Sequence, residues 1–153
     1  MELTKKAFKA YDVRGVVPTE VNAEMAYRVG RVFAAMFAAE KVVVGHDIRL
    51  SGRELVDALT EGLRHGGSDV IDIGQCGTEM IYFATAHLTL TGGIMVTASH
   101  NPAEYNGMKL VRRGARPISA DTGLMEIADM VVDSKEFSSC QGAGQDGGCC
   151  KTL

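Results

Sequence analysis

Between Asn22 and Ala38 the apolar residues Met25, Val29, Val32, Phe33, Met36 and Phe37 recur at helical spacing, which predicts an amphipathic helix. Asn22 stands where an N-cap would accept from the first turn, and Glu24 where the helix dipole favours a carboxylate. Lys41-Val-Val-Val-Gly45 breaks that period and reads as a strand buried on both faces. Ser51-Gly-Arg-Glu54 has the spacing of a capping box. The helix behind it carries a stripe of Leu55, Val56, Leu59 and Leu63, then Arg64 and His65 before a Gly66-Gly67 stop. A strand over 69–74 follows, then a helix over 78–88 whose period is weak because Ile81, Tyr82, Phe83 and Ala84 are apolar in a row. Strands at 93–98 and 108–112 come next, the second announced by the turn signal Asn106-Gly107. Asp121 is expected to cap a last helix that buries Leu124, Ile127, Ala128 and Val131.

Strands alternating with helices imply a mainly parallel sheet with helices on both faces. The link between the third and fourth strands is only about nine residues, too short for a helical crossover. The fold class is therefore α/β: a three-layer α/β/α sandwich on a mainly parallel, four-stranded mixed sheet, with the last strand antiparallel at one edge. After Val132 the pattern ends. A stretch of Ser, Gly, Gln and Cys follows, with Phe137 and Leu153 as its only large apolar residues. That composition cannot offset its ordering entropy, so 1–133 is expected to be one domain and 134–153 a disordered or non-native tail.

The chain has 153 residues, 46% hydrophobic and 23% charged, which suits one globular domain. A formal charge of −3 supplies no basic field for nucleic acid or an anionic membrane. No apolar run reaches the length of a membrane span, and the first residues lack a signal-peptide core. A cytoplasmic location is expected. The four cysteines, Cys76, Cys140, Cys149 and Cys150, form no C-x-x-C pair and are read as reduced thiols.

In an open α/β sheet, ligands bind beyond the carboxyl ends of the parallel strands. Three loops leave such ends: 46–52, 74–79 and Thr97-Ala-Ser-His-Asn-Pro102. The last is densest in hydrogen-bonding groups. It is not a serine-hydrolase elbow, since Thr97 and Asn101 occupy the required glycine positions. His100 would point away from Ser99 in an extended backbone. Arg14 is expected to pair with Asp12 or Asp47, and Arg49 either to anchor its own loop or to touch substrate. Arg112, Arg113 and Arg116 read as a phosphate patch or as a solvated face.

The context of that loop resembles the first domain of the α-D-phosphohexomutases. Thr97-Ala-Ser-His-Asn-Pro102, Tyr11-Asp-Val-Arg-Gly15, Gly77-Thr-Glu79 and Asn106-Gly-Met-Lys109 occur in that family's order. Ile81-Tyr-Phe-Ala-Thr85 and Gly114-Ala-Arg-Pro-Ile-Ser119 sharpen the likeness to bacterial phosphomannomutases that supply GDP-mannose.

The resemblance implies a phosphoserine at Ser99 and interconversion of mannose 6-phosphate and mannose 1-phosphate through a 1,6-bisphosphate. Lys109 and Arg14 would stabilise charge or move a proton, alongside His100. Asn101, Asn106 and Tyr11 would orient the loop or the phosphosugar. Mg²⁺ and a hexose 1,6-bisphosphate activator are implied for the complete enzyme, and this chain's link to the metal would be the Ser99 phosphate alone. Family members carry three further domains that supply the metal, sugar-selecting and phosphate-binding loops. The chain by itself is therefore expected to be inactive, with those domains as its missing partners. The absence of a sugar-selecting loop leaves phosphoglucomutase and phosphoglucosamine mutase open, as well as a non-enzymatic truncated domain.

Overall fold

The computed structural model describes residues 2–133 and 150–152. Its strands are β1 (Val13–Val16), β2 (Lys41–His46), β3 (Asp69–Gln75), β4 (Gly92–Val96), β5 (Tyr105–Arg112), β6 (Arg116–Pro117) and β7 (Cys150–Thr152). The helices are α1 (Ala23–Met36), α2 (Gly52–His65), α3 (Thr78–His87) and α4 (Leu124–Val132). One mixed sheet runs in the order β1-β5-β4-β2-β3-β7, with β6 paired to β5. β2, β3 and β4 are mutually parallel, and β5 is antiparallel to β4. The sheet is thus three-layered and mixed as expected, but it has seven strands among the described residues rather than four.

β5 is also not at the edge. β1 pairs antiparallel along its outer side, with Val13 opposite Met108 and Gly15 opposite Asn106. Asn106-Gly107 accordingly makes no turn and lies inside β5. A Cβ on Gly107 would sit 1.9 Å from the Val13 carbonyl oxygen, so the glycine serves the close approach of β1.

The larger core lies between the sheet and α1, α2 and α4, around Met25, Phe33, Leu59, Leu63, Ile94 and Ile127. α3 covers the other face, packing Ile81 and Ala84 against Val43, Met95 and Val111 of the sheet. Fully burying a side chain such as Phe33 contributes about 2 kcal/mol. α1 and α2 approach through glycines: a Cβ on Gly62 would lie 2.0 Å from the Tyr27 carbonyl oxygen. The apolar run in α3 hid its period because Ile81 and Ala84 face the sheet whereas Met80 and Phe83 are exposed.

Asn22 caps α1 as expected, accepting from the Met25 amide at 2.9 Å. Two other caps differ. Ser51 already has helical angles (φ −77°, ψ −6°), and its side chain makes no capping bond. Asp121 lies in a 3₁₀ turn, Ala120–Thr122, and α4 starts after Gly123 at φ +130°. Ser119 and Thr122 form the capping box there instead.

The tail reading falls on 134–149 and 153, outside the described residues; Cys150–Thr152 pairs in parallel with Val70–Asp72 of β3. The side chains of Cys140, Cys149 and Cys150 also lie outside them, and Cys76 is a free, half-buried thiol. No helix among the described residues is long and apolar enough to cross a membrane.

Candidate active site

β2 and β4 are parallel neighbours, with His46 opposite Val96, so the loops leaving their carboxyl ends lie side by side. The Asp47 amide donates to the Val96 carbonyl at 3.1 Å and begins to tie the loops together. Thr97 completes the tie. Its hydroxyl donates to Asp47 Oδ2 at 2.7 Å and accepts from the Ser99 amide at 2.9 Å.

Ser99 itself has φ +54°, a left-handed conformation that a residue with a Cβ adopts only when its surroundings enforce it. This backbone overturns one expectation. Extended geometry would send the His100 ring away from Ser99, but here His100 Nδ1 lies 3.3 Å from Ser99 Oγ. Both residues are exposed, so the hydroxyl is open to a ligand and next to a group that exchanges protons.

The enforcing element is Arg49. Its Nη1 donates to the carbonyls of Pro102 (2.7 Å) and Tyr105 (2.8 Å), and its Nη2 to those of Ser99 (2.9 Å) and Asn101 (2.7 Å). Its Nε is buried 3.4 Å from Asp47 Oδ2 without a hydrogen bond of its own. Arg49 therefore anchors its own loop through the ion pair with Asp47, as expected, and also the Ser99 loop, across about 50 residues of sequence. No local signal could have shown the second role.

The cations lie on the neighbouring strands, Lys109 on β5 beside β4 and Arg14 on β1 beyond it. Gly107 accepts from the Thr97 amide at 3.0 Å and stands opposite Arg14, with Lys109 two residues on and on the same face of the sheet. Asp12 joins them: Oδ1 is 3.5 Å from Arg14 Nη2 and Oδ2 is 3.4 Å from Lys109 Nζ. Arg14 thus pairs with Asp12 and not with Asp47. The shared carboxylate leaves one net positive charge beside β4, whose carboxyl end carries the Ser99 loop. Asp12 lies inside the Tyr11–Gly15 motif, but its contact with Lys109 could not be read from it. Burial, and then the Asp12 charge, push the Tyr82 hydroxyl above its ordinary pKa.

The other expected site residues are placed differently. Tyr11 is 78% exposed. Asn101 Nδ2 donates to the Ala98 carbonyl at 2.8 Å and so braces the loop from within. Asn106 is fully buried, and this corrects its reading as a substrate contact. Its Nδ2 donates to Ser51 Oγ at 2.8 Å and its Oδ1 accepts from the Gly107 amide, so it joins β5 to the start of α2.

Magnesium prefers six oxygens in near-octahedral array. Asp47, the carboxylate tied to the Ser99 loop, spends Oδ1 on the Arg49 amide and Oδ2 on Thr97. No group of three His, Cys, Asp or Glu side chains able to hold a metal occurs among the described residues. The residues around Ser99 therefore do not form a magnesium site, and no step is routed through one.

The profile described as "Phosphoglucomutase/phosphomannomutase, alpha/beta/alpha domain I" matches residues 5–136. The chain belongs to this phosphohexomutase family. It is 59% identical over 130 residues to the "Phosphohexose mutases" protein of Xanthomonas campestris pv. campestris (strain B100), covering 85% of this chain and 29% of that one. It is 54% identical over 128 residues to a Klebsiella pneumoniae "Phosphomannomutase", covering 84% and 82%. The crystal structure of a phosphoglucomutase/phosphomannomutase family protein from Burkholderia thailandensis superposes with a TM-score of 0.83 at 37% identity, over 98% of this chain and 33% of that one. The chain thus spans under a third of the Xanthomonas relative and most of the Klebsiella one. Seen as domain I of a phosphohexomutase, its loop over 97–102 lies where the fold gathers its strand ends, with Ser99 foremost.

Proposed function

We propose that Ser99 is the phosphate carrier of a phosphomannomutase and that this chain is its phosphoserine domain. The observation that carries the reading is the left-handed Ser99, held by Arg49 through the loop carbonyls, with its Oγ exposed and 3.3 Å from His100 Nδ1. In the forward half-reaction the Ser99 Oγ–P bond breaks and a bond forms from phosphorus to the free hydroxyl of mannose 6-phosphate or mannose 1-phosphate. That hydroxyl gives its proton to water, Ser99 Oγ takes one from His100, and His100 is re-protonated from solvent, so no net proton is gained or lost. The second half-reaction reverses these steps at the other phosphate of the 1,6-bisphosphate. Lys109 and Arg14 oppose the charge on the moving phosphoryl oxygens. Mg²⁺, and the role of the product as a precursor of GDP-mannose in the cytoplasm, belong to the same proposal. They rest on the likeness to the Klebsiella relative named phosphomannomutase, at 54% identity, and any Mg²⁺ would meet this chain only through the Ser99 phosphate.

A second reading is a mutase for glucose phosphates, favoured by the name of the Xanthomonas relative, which covers hexoses generally. A chimera carrying residues 5–136 of this chain in place of the matching part of that relative tests both. Mutase activity that vanishes in Ser99→Ala, with phosphate mapped to Ser99, is expected. The ratio of mannose to glucose turnover selects between the sugars. A folded chimera that is inactive, or labelled on another residue, overturns the assignment.

A further inference from the structure

At the opposite end of the sheet from Ser99, the β5–β6 hairpin gathers three arginines that the candidate active site does not use. Arg112 and Arg116 stand directly opposite each other in antiparallel register, with Arg113 between them in the chain. Like charges placed across a strand pair repel, so this arrangement disfavours the empty hairpin. Among the described residues none of the three side chains has a hydrogen bond or an ion pair, and Arg112 Nε is buried without a partner. They line a hollow of about 400 Å³ together with Phe37, Ala38, Thr91 and Gly114. Thr91 Oγ1 accepts from the Glu40 and Lys41 amides, which leaves its own hydrogen free to donate.

We propose that this hollow binds a small phosphorylated metabolite at a site separate from Ser99. Three guanidinium groups facing one cavity without a carboxylate match the charge and oxygen spacing of a phosphate or diphosphate. The volume lies within the range of small-molecule sites. Gly92, opposite Arg112, opens β4, and Ser99 follows its far end, a separation of about 20 Å. One ligand group cannot reach both places.

The test is titration of the ¹⁵N-labelled chain with inorganic pyrophosphate and, separately, inorganic phosphate at physiological salt, read from backbone amide shifts. Saturable shifts at residues 91 and 112–116 are expected, with at least tenfold weaker binding in the R113S/R116S double variant. Both arginines are exposed, so that variant keeps the fold. Tighter binding of pyrophosphate than of phosphate points to a diphosphate-bearing ligand, and equal binding to a monophosphate. Ser99→Ala should leave the affinity unchanged, as should K5A/K9A, which removes the same charge elsewhere. Shifts confined to the Ser99 loop, binding that never saturates, or an equal loss in K5A/K9A would overturn the proposal.

Discussion

The Arg49 guanidinium reaches from the loop after β2 to the carbonyl oxygen of Ser99, 2.9 Å away, and holds three further carbonyls of the same segment. A left-handed serine is costly in isolation, by roughly 1–2 kcal/mol. Charged hydrogen bonds of this kind each contribute about 1.5–3 kcal/mol, enough in sum to hold that backbone. The presentation of the Ser99 hydroxyl is thus a property of a residue in a different loop.

Replacing Arg49 with lysine keeps the charge but loses the planar fork, and one ammonium cannot reach four carbonyls. Arg49→Lys is expected to lower stability by about 2 kcal/mol in urea unfolding. Amide exchange at Ser99 and Asn101 should accelerate more than in the cores. Unchanged exchange in that loop would contradict the clamp.

Ser99→Gly and Ser99→Ala both remove the hydroxyl, but only glycine accepts φ +54° without penalty. The glycine variant is expected to be more stable than the alanine variant by about 1 kcal/mol. Calorimetry on the two decides it, and an alanine variant equal to or above glycine would show that the backbone there is unstrained.

Asp12→Asn removes a negative charge that raises the Tyr82 pKa. The Tyr82 titration should move down toward the ordinary phenol value, followed by NMR of the ring carbons as pH rises. Burial, the larger cause, remains, so the shift should be partial. A Tyr82 titration indifferent to Asp12→Asn would place the carboxylate elsewhere in solution.

Glu20 accepts from the Lys6 ammonium at 2.5 Å and from the Val16 amide at 3.0 Å, and these bonds hold its carboxyl below the ordinary range. A carboxylate with a depressed folded pKa adds stability above its unfolded pKa and loses it as pH falls through the folded value. The stability difference between the native chain and Glu20→Gln should therefore be present at pH 6 and shrink below about pH 4. Chemical unfolding across that range measures it, and a constant difference would show that the charge plays no part.

The chain on its own is expected to fold yet show no mutase turnover with Mg²⁺ and hexose 1,6-bisphosphate. Only Lys109 and Arg14, already sharing Asp12, face the phosphoryl charge, and no described cluster holds a metal there. Loss of such electrostatic stabilisation costs orders of magnitude in rate. A coupled assay on purified chain against Ser99→Ala checks this, and turnover above that control would refute it.

Local pattern was enough for α1, α2 and the three parallel strands, because each depends on a stripe or run of apolar residues close in sequence. The loop 97–102 was legible too, since it follows a buried strand and carries an unusual density of polar groups. β1 was not read as a strand, because Val13–Val16 is short and its pairing with β5 joins residues about 90 positions apart. The same distance turned Asn106-Gly107 from an expected hairpin turn into the middle of a strand.

The order of apolar and polar residues, by itself, determined a three-layer α/β sandwich and singled out the polar loop 97–102, while the roles of Ser99, His100, Lys109 and Arg14 came from the family resemblance. Only the tertiary structure decided how they meet. Arg49 anchors the Ser99 loop, Asp12 bridges Arg14 and Lys109, and the backbone at Ser99 brings the His100 ring to its hydroxyl. Periodicity is a property of neighbours along the chain. A hydrogen bond between two loops, or a φ angle enforced from outside, exists only once the sheet has set those loops side by side.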